Sequence, residues 1–286
     1  NNATLRWVAQ WLPQWHSTVV LGTSEDRSVG NYYRASDGAW GGSTQFNTNR
    51  RQITWQNDIA LDKDVLSLVV ESRNESVDSS TAYTVTNRDV RSALVSYAFN
   101  RPEWNALLVA RNDDNSQFGS LNNWAVSGGY RLTPALRAVA SVGSSFQAPS
   151  FNQLYFPDFG KPDLVPQLNR ATELGLKYQL GAVSMGAVVY NNDIQGFIVP
   201  RTNAQSSLAV LRGVTLSAAV QTGDTQYSVS YDYADPRTYS TNPASNDLRF
   251  IRVARNVLNA RVTHTMGTLG LFGELKVSGD REDSNL

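Results

Sequence analysis

Apolar and polar residues alternate with a period of two along almost the whole chain. From Thr225 to Ala234, Tyr227, Val229, Tyr231 and Tyr233 share one side, and Gln226, Ser228, Ser230 and Asp232 share the other. From Leu269 to Ser278, Leu269, Leu271, Leu275 and Val277 lie with Gly273, opposite Phe272, Glu274, Lys276 and Ser278. Ile53, Trp55, Ile59 and Leu61 oppose Gln52, Thr54, Gln56 and Asp58, and Leu66, Leu68 and Val70 oppose Ser67, Glu71 and Arg73. Val183, Met185, Ala187 and Val189 repeat the pattern against Ser184 and Gly186. Such a period marks strands with one apolar face. No capped helical stretch stands out. The pattern predicts about 14 strands, starting near Ala3, Trp15, Gln45, Val65, Tyr83, Trp104, Leu121, Leu136, Ala171, Ala182, Gln205, Thr225, Ile251 and Leu269.

The connections alternate between short and long. The short set includes Pro13-Gln14, Asp62-Lys63, Arg101-Pro102-Glu103, Thr133-Pro134-Ala135, Gly181, Gly223 and Gly267 with their neighbours. Between them lie longer polar stretches: 28–44, 77–82, 113–120, 144–170, 200–204 and 235–250. A closed outer-membrane barrel sorts its connections this way, with short turns at one rim and long loops at the other. A β-sandwich with Greek-key crossings need not do so. Trp11, Trp15, Phe99, Trp104 and Tyr178 flank the short turns, where an aromatic girdle belongs. The expected fold is therefore all-β, an antiparallel transmembrane β-barrel.

Composition narrows the function. Lys and Arg together number 25, as do Asp and Glu, so the balanced charge argues against nucleic acid as a partner. There is no cysteine, which removes disulfides, thiolate metal sites and a Cys nucleophile. No apolar run approaches the roughly 18 residues of a membrane-spanning helix. The chain starts at Asn1 without a leader-like segment and reads as a mature protein or an interior fragment. His16 and His264 each sit beside a short turn, far in sequence from paired carboxylates, so neither a Ser-His-Asp constellation nor a histidine metal site can be assembled.

The stretch from Ala110 to Val199 resembles the TonB-dependent outer-membrane receptors, cobalamin receptor branch. Ala110-Arg111-Asn112-Asp113-Asp114-Asn115-Ser116-Gln117-Phe118-Gly119 is similar to a loop of that branch. Gly143-Ser144-Ser145-Phe146-Gln147-Ala148-Pro149 through Gln153-Leu154-Tyr155, and then Gly160-Lys161-Pro162-Asp163-Leu164-Val165-Pro166, resembles a run shared by the superfamily. Farther on, Tyr190 to Ile198, Leu211-Arg212-Gly213-Val214 and Val229-Ser230-Tyr231-Asp232-Tyr233 continue the likeness; Thr215 stands where the family carries Glu.

The resemblance implies an outer-membrane receptor wall for TonB-dependent uptake of a large scarce nutrient such as cobalamin, and no enzyme. Residues 1–286 would be about 14 strands of a barrel of about 22, open in this piece. Its partners would be the nutrient, a plug domain lying outside these residues, the TonB complex through that plug, and outer-membrane lipid. A siderophore receptor on the same fold is the alternative; a barrel enzyme and a soluble β-rich module are further ones. No cofactor is expected. Calcium is a candidate by resemblance, but Asp37 is nearly isolated and Asn47 stands where the family carries Asp.

Candidate ligand contacts are the aromatics of stretch 28–44, namely Tyr32, Tyr33 and Trp40, which can stack on a wide ring. Arg281 resembles an arginine at the top of a family strand, and Arg91 is read as an inward-facing position close to a loop. Tyr155 lies in the Pro- and aromatic-rich stretch 144–170. That stretch reads better as a scaffold than as a ligand site, since the superfamily shares it while binding different ligands.

Overall fold

The structure is a computed structural model that describes residues 1–36, 38–200, 202–240 and 246–283. It forms one long antiparallel meander. In chain order the strands are β1 (Asn2–Leu12), β2 (Trp15–Tyr33), β3 (Trp40–Leu61), β4 (Asp64–Ser79), β5 (Asn87–Asn100), β6 (Trp104–Asn115), β7 (Gly119–Arg131) and β8 (Leu136–Gln147). They continue as β9 (Gln167–Leu180), β10 (Val183–Gln195), β11 (Ile198–Val199), β12 (Ala204–Gln205), β13 (Leu208–Thr222), β14 (Thr225–Tyr239), β15 (Leu248–Arg249), β16 (Asn256–Met266) and β17 (Leu269–Ser278). Each long strand pairs with the next long strand in sequence, and β1 and β17 stand at the two ends of the path. The path has 14 long strands, as the alternation predicts. The short β15 adds to β14, and β11 pairs only with β12.

No second layer covers this sheet. Each long strand makes its substantial contacts with its neighbours in the sheet alone. The apolar face is accordingly left open: Leu68, Val70, Leu174, Leu176, Met185, Val189, Leu269 and Leu271 are all exposed. A sandwich would bury these side chains. A continuous apolar face on a single-layer sheet needs a non-aqueous solvent, and a barrel wall supplies lipid on that side. The other face carries Gln52, Thr54, Glu71, Ser92, Arg111 and Asp113, which hydrogen-bond one another across strands, as lumenal side chains do.

At the short-turn rim, two-residue hairpins join most strand pairs, with slightly longer turns at Arg101–Glu103 and Leu132–Ala135. Gly181, Gly223 and Gly267 hold φ of 55°, 56° and 58° at the first central position, the conformation that a type II′ turn reserves for glycine. The aromatic girdle is present there. Trp7, Trp11 and Trp15 contact in series at 6.0 and 6.3 Å, and Tyr97, Phe99 and Trp104 do so at 4.5 and 6.1 Å. The carboxylate of Asp64 ties the β4–β5 pair to the next turn, accepting from the Asn100 N–H at 3.0 Å and from the Arg101 guanidinium.

The opposite rim departs from the sequence reading at stretch 235–250, where β14 stays paired through Tyr239 and β15 adds to it, and in three further places. Stretch 28–44 is mostly ladder rather than loop: β2 and β3 stay paired from Trp15 opposite Ile59 to Tyr33 opposite Trp40, with a bulge near the tip. Stretch 113–120 is a tight turn, because the Asn115 side chain accepts from the Gln117 and Phe118 N–H groups at 2.9 and 3.3 Å and Gly119 takes φ 71°. Finally, one helix is present, α1 (Phe151–Tyr155). Ser150 caps it in a reciprocal box, with Gln153 N–H donating to Ser150 Oγ and Ser150 N–H donating to Gln153 Oε1. Helical periodicity cannot show in five residues, but the Ser-x-x-Gln signature was available in the sequence.

Candidate functional site

The long-loop rim holds two aromatic structures of different kinds. The first is a cap built on the β8–β9 connection. Leu154 of α1 is fully buried and packs with Leu164 and with Ile198 of the β11–β12 hairpin, joined by Phe118 and Tyr155. Asn203, buried and at φ 51°, donates from Nδ2 to the Gln153 and Phe159 carbonyls at 2.6 and 3.1 Å. Gln205 Nε2 donates to the Val165 and Gly196 carbonyls at 2.8 and 2.7 Å. Gly160 presses so close to the Leu154 carbonyl that a Cβ there would stand 2.6 Å from it. The cap is moored to the wall by Arg88, which donates to the Pro149 carbonyl at 3.0 Å and lies over the Phe151 ring at 5.1 Å. It is also moored by Tyr83, whose hydroxyl donates to Asn152 at 2.6 Å; burial pushes that phenol's pKa up. Tyr155 belongs to this cap: its hydroxyl bonds Gln117 and its ring packs on the cap's apolar core.

The second structure is the tip of the β2–β3 arm. Tyr33 and Trp40 meet edge-to-face at 5.6 Å, and Tyr32 lies over Gly41, where a Cβ would come within 2.6 Å of the ring. Tyr32, Tyr33 and Trp40 are each at least half exposed, at 51, 66 and 55%. They stand freer than the cap's aromatics, of which Phe151 is buried while Phe156 and Phe159 stay exposed at its edge. Asp37 lies outside the described residues.

Arg281 follows β17 at the same rim and is exposed, between Glu282, which pairs with Arg249 at 3.0 Å, and the Gly279 backbone bonded to Asn256. It stands at the far end of the sheet from the β2–β3 arm, so the described residues bring Tyr33 and Trp40 together but not Arg281 with them. The expected inward placement of Arg91 is corrected by the register. Arg91 shares the face of Ala93, Val95 and Tyr97, whereas its neighbour Ser92 faces the lumen and donates to Asp113 at 2.6 Å. Arg91 points to the outside of the wall.

A lumenal network escapes the sequence reading. Glu75 pairs with Arg50, Arg73 and Arg88 at 3.1, 3.2 and 2.7 Å, and Arg111 pairs with Asp113 at 2.7 Å and Glu71 at 3.4 Å. These four arginines and three carboxylates lie on four separate strands, so no single segment shows them together. The local hints are the spacing of two in Glu71–Arg73–Glu75 and in Arg111–Asp113, which keeps each set on one face. Among the described residues no group of three or more His, Asp or Glu side chains is placed to hold a metal ion. Asn47 hydrogen-bonds Asp78 at 3.5 Å. One amide and one carboxylate fall well short of the six to eight oxygens that calcium takes, so the described residues do not fit that ion.

A single-layer antiparallel sheet with an apolar outer face, a polar lumen, an aromatic turn rim and a looped opposite rim is the wall of a membrane-spanning β-barrel. More narrowly, the chain belongs to the TonB dependent receptor-like β-barrel family, whose model matches residues 1–285, and it is an outer-membrane protein. It is 28% identical over 271 residues to a vitamin B12 transporter of Vibrio vulnificus, covering 88% of this chain and 43% of that protein. It is 29% identical over 234 residues to a vitamin B12 transporter of Photobacterium profundum, covering 77% and 37%. The chain thus spans less than half the length of these curated relatives. Among solved structures it superposes on the ferric enterobactin receptor of Pseudomonas aeruginosa with a TM-score of 0.81 at 14% identity, covering 97% of this chain and 49% of that one.

Proposed function

We propose that this chain is part of the wall of a receptor that takes up a corrinoid such as cobalamin across the outer membrane. The observation that carries the reading is the identity of 28 and 29% to two vitamin B12 transporters, twice the 14% to the ferric enterobactin receptor of the same fold. The rim is suited to the task. A corrinoid is wide and amphipathic, and its burial calls for aromatic faces together with donors for its amides. Tyr32, Tyr33 and Trp40 supply the first, and Arg281 is a candidate for the second. Tyr155 contributes by holding the cap. In the same reading a plug domain fills the lumen against the Arg50–Glu75–Arg111 network and passes force from the TonB complex.

The test is equilibrium binding of cobalamin to the full-length receptor in detergent, run beside ferric enterobactin. Saturable binding of cobalamin alone supports the reading. Saturable binding of ferric enterobactin alone replaces it with the alternative, a siderophore receptor.

A further inference from the structure

The outward face of β13 and β14 changes character abruptly. From the short turn upward it runs Val220, Ala218, Leu216 and Val214 on β13, and Tyr227, Val229, Tyr231 and Tyr233 on β14. The next outward residues are Arg212 and, paired with it in register, Asp235. Val220 to Arg212 spans nine residues of the strand, at the lower end of the roughly 9 to 11 that a tilted strand needs to cross the apolar band. The switch therefore falls near the upper boundary of a barrel's apolar band, where lipid tails give way to headgroups.

At that level four guanidinium groups surround one carboxylate. Arg237 lies 3.0 Å from Asp235, Arg212 and Arg255 lie at 3.8 Å, and Arg249 lies at 3.9 Å. Arg237 and Arg249 have second carboxylates, Asp247 at 2.8 Å and Glu282 at 3.0 Å. Arg212 and Arg255 have only Asp235 among the described residues, and neither reaches it at hydrogen-bond distance. Arg212 is 60% exposed along its side chain. Arg255 is braced, with its guanidinium over the Tyr233 ring at 5.6 Å and donating to the Tyr233 hydroxyl at 3.0 Å, while its buried Nε donates to nothing described. Two arginines thus stand beside lipid with more cationic charge than the one shared carboxylate neutralises. Planar guanidinium forks match phosphate oxygens two at a time, and an arginine cluster at the headgroup level is the usual means of holding an anionic lipid.

We infer that Arg212 and Arg255 hold a phosphate of a phosphorylated lipid in the leaflet that surrounds the long-loop rim. The site depends on the outward face of the wall and not on which nutrient the receptor carries. The test uses the full-length receptor in phosphatidylcholine nanodiscs doped with bisphosphorylated lipid A, with lipid retention read by native mass spectrometry and barrel folding by heat-modifiable migration. The folded wild-type protein retains lipid A. The doubly substituted Arg212→Ala/Arg255→Ala protein retains about tenfold less, the scale of losing charge-assisted hydrogen bonds. Arg212→Lys/Arg255→Lys, which keeps the charge, recovers part of the loss. Equal retention by the folded alanine variant overturns the inference. So does equal wild-type retention of dephosphorylated lipid, or displacement of lipid A by millimolar inorganic phosphate, which would make the site one for the free ion.

Discussion

The cap on β8–β9 and the tip of the β2–β3 arm are both aromatic-rich and sit on the same rim, yet they spend their aromatic residues differently. In the cap, Phe151 is 7% exposed and Leu154 is fully buried, and backbone carbonyls are met by Asn203 and Gln205. In the arm, a ladder with one bulge at its tip holds three aromatic side chains out in the open. A loop that buries a centre of its own, here Phe151, Leu154 and Leu164, is a small folded unit whose residues answer to each other, even with Phe156 and Phe159 exposed at its edge. A loop that lets a ladder do the holding leaves its aromatics free to meet something else. Density of aromatic residues in a sequence does not separate the two; the presence of a paired partner strand does.

Substitutions can break or sharpen this contrast. The largest effect is expected for Leu154→Ala, which empties the centre of the cap and should cost about 3 kcal/mol of local stability. It would appear in the full-length receptor as lost amide-exchange protection over 151–164, with the sheet unaffected. Next, Asn203→Ala removes two hydrogen bonds to buried carbonyls and should cost about 2 kcal/mol in the same readout. Asn203→Gly, which accepts φ 51° without strain, separates the two roles of that residue, since recovery in the glycine variant would assign the effect to backbone conformation. Arg281→Ala in the full-length receptor should weaken cobalamin binding by about 1 to 2 kcal/mol, the range for a charged donor. Trp40→Ala should weaken it by about 1 kcal/mol while leaving folding intact; a folding defect there would place the tip in the same class as the cap. The smallest effect is expected for Arg91→Ala, within about 0.5 kcal/mol in both binding and stability. A clear loss of affinity in that variant would contradict its outward placement.

Much of the wall was legible because a strand's period of two is a local property. Trp15, Trp104, Leu136, Thr225 and Leu269 begin strands where the alternation places them. The rim was read less well, for identifiable reasons. Gly30, Gly41 and Gly42 interrupt the apolar alternation of the arm while the backbone pairing continues through Gly30 and Gly42 and past the bulge at Gly41, so a ladder looks like a loop. The tight turn at Ser116–Phe118 depends on one side chain, Asn115, reaching two residues ahead. Arg91 was assigned by its nearness to a loop, although parity with Ala93 and Val95 in its own strand decides the side it faces. The cap, and the lumenal arginines on separate strands, come together only through contacts between residues far apart in sequence, which no window of the chain contains.

The strictly sequential meander also bears on how such a protein can change over generations. Every long strand between β1 and β17 is held by the long strand before it and the long strand after it, so each rim connection is closed by its own hairpin and shares no ladder with the others. Lengthening one connection adds only slowly to its closure entropy and shifts no register in the wall. The arm can therefore gain, lose or exchange residues while lumen and outer face stay in phase. A barrel of this kind can be retargeted one loop at a time, with the cap as the exception, because its parts come from several connections and must change together.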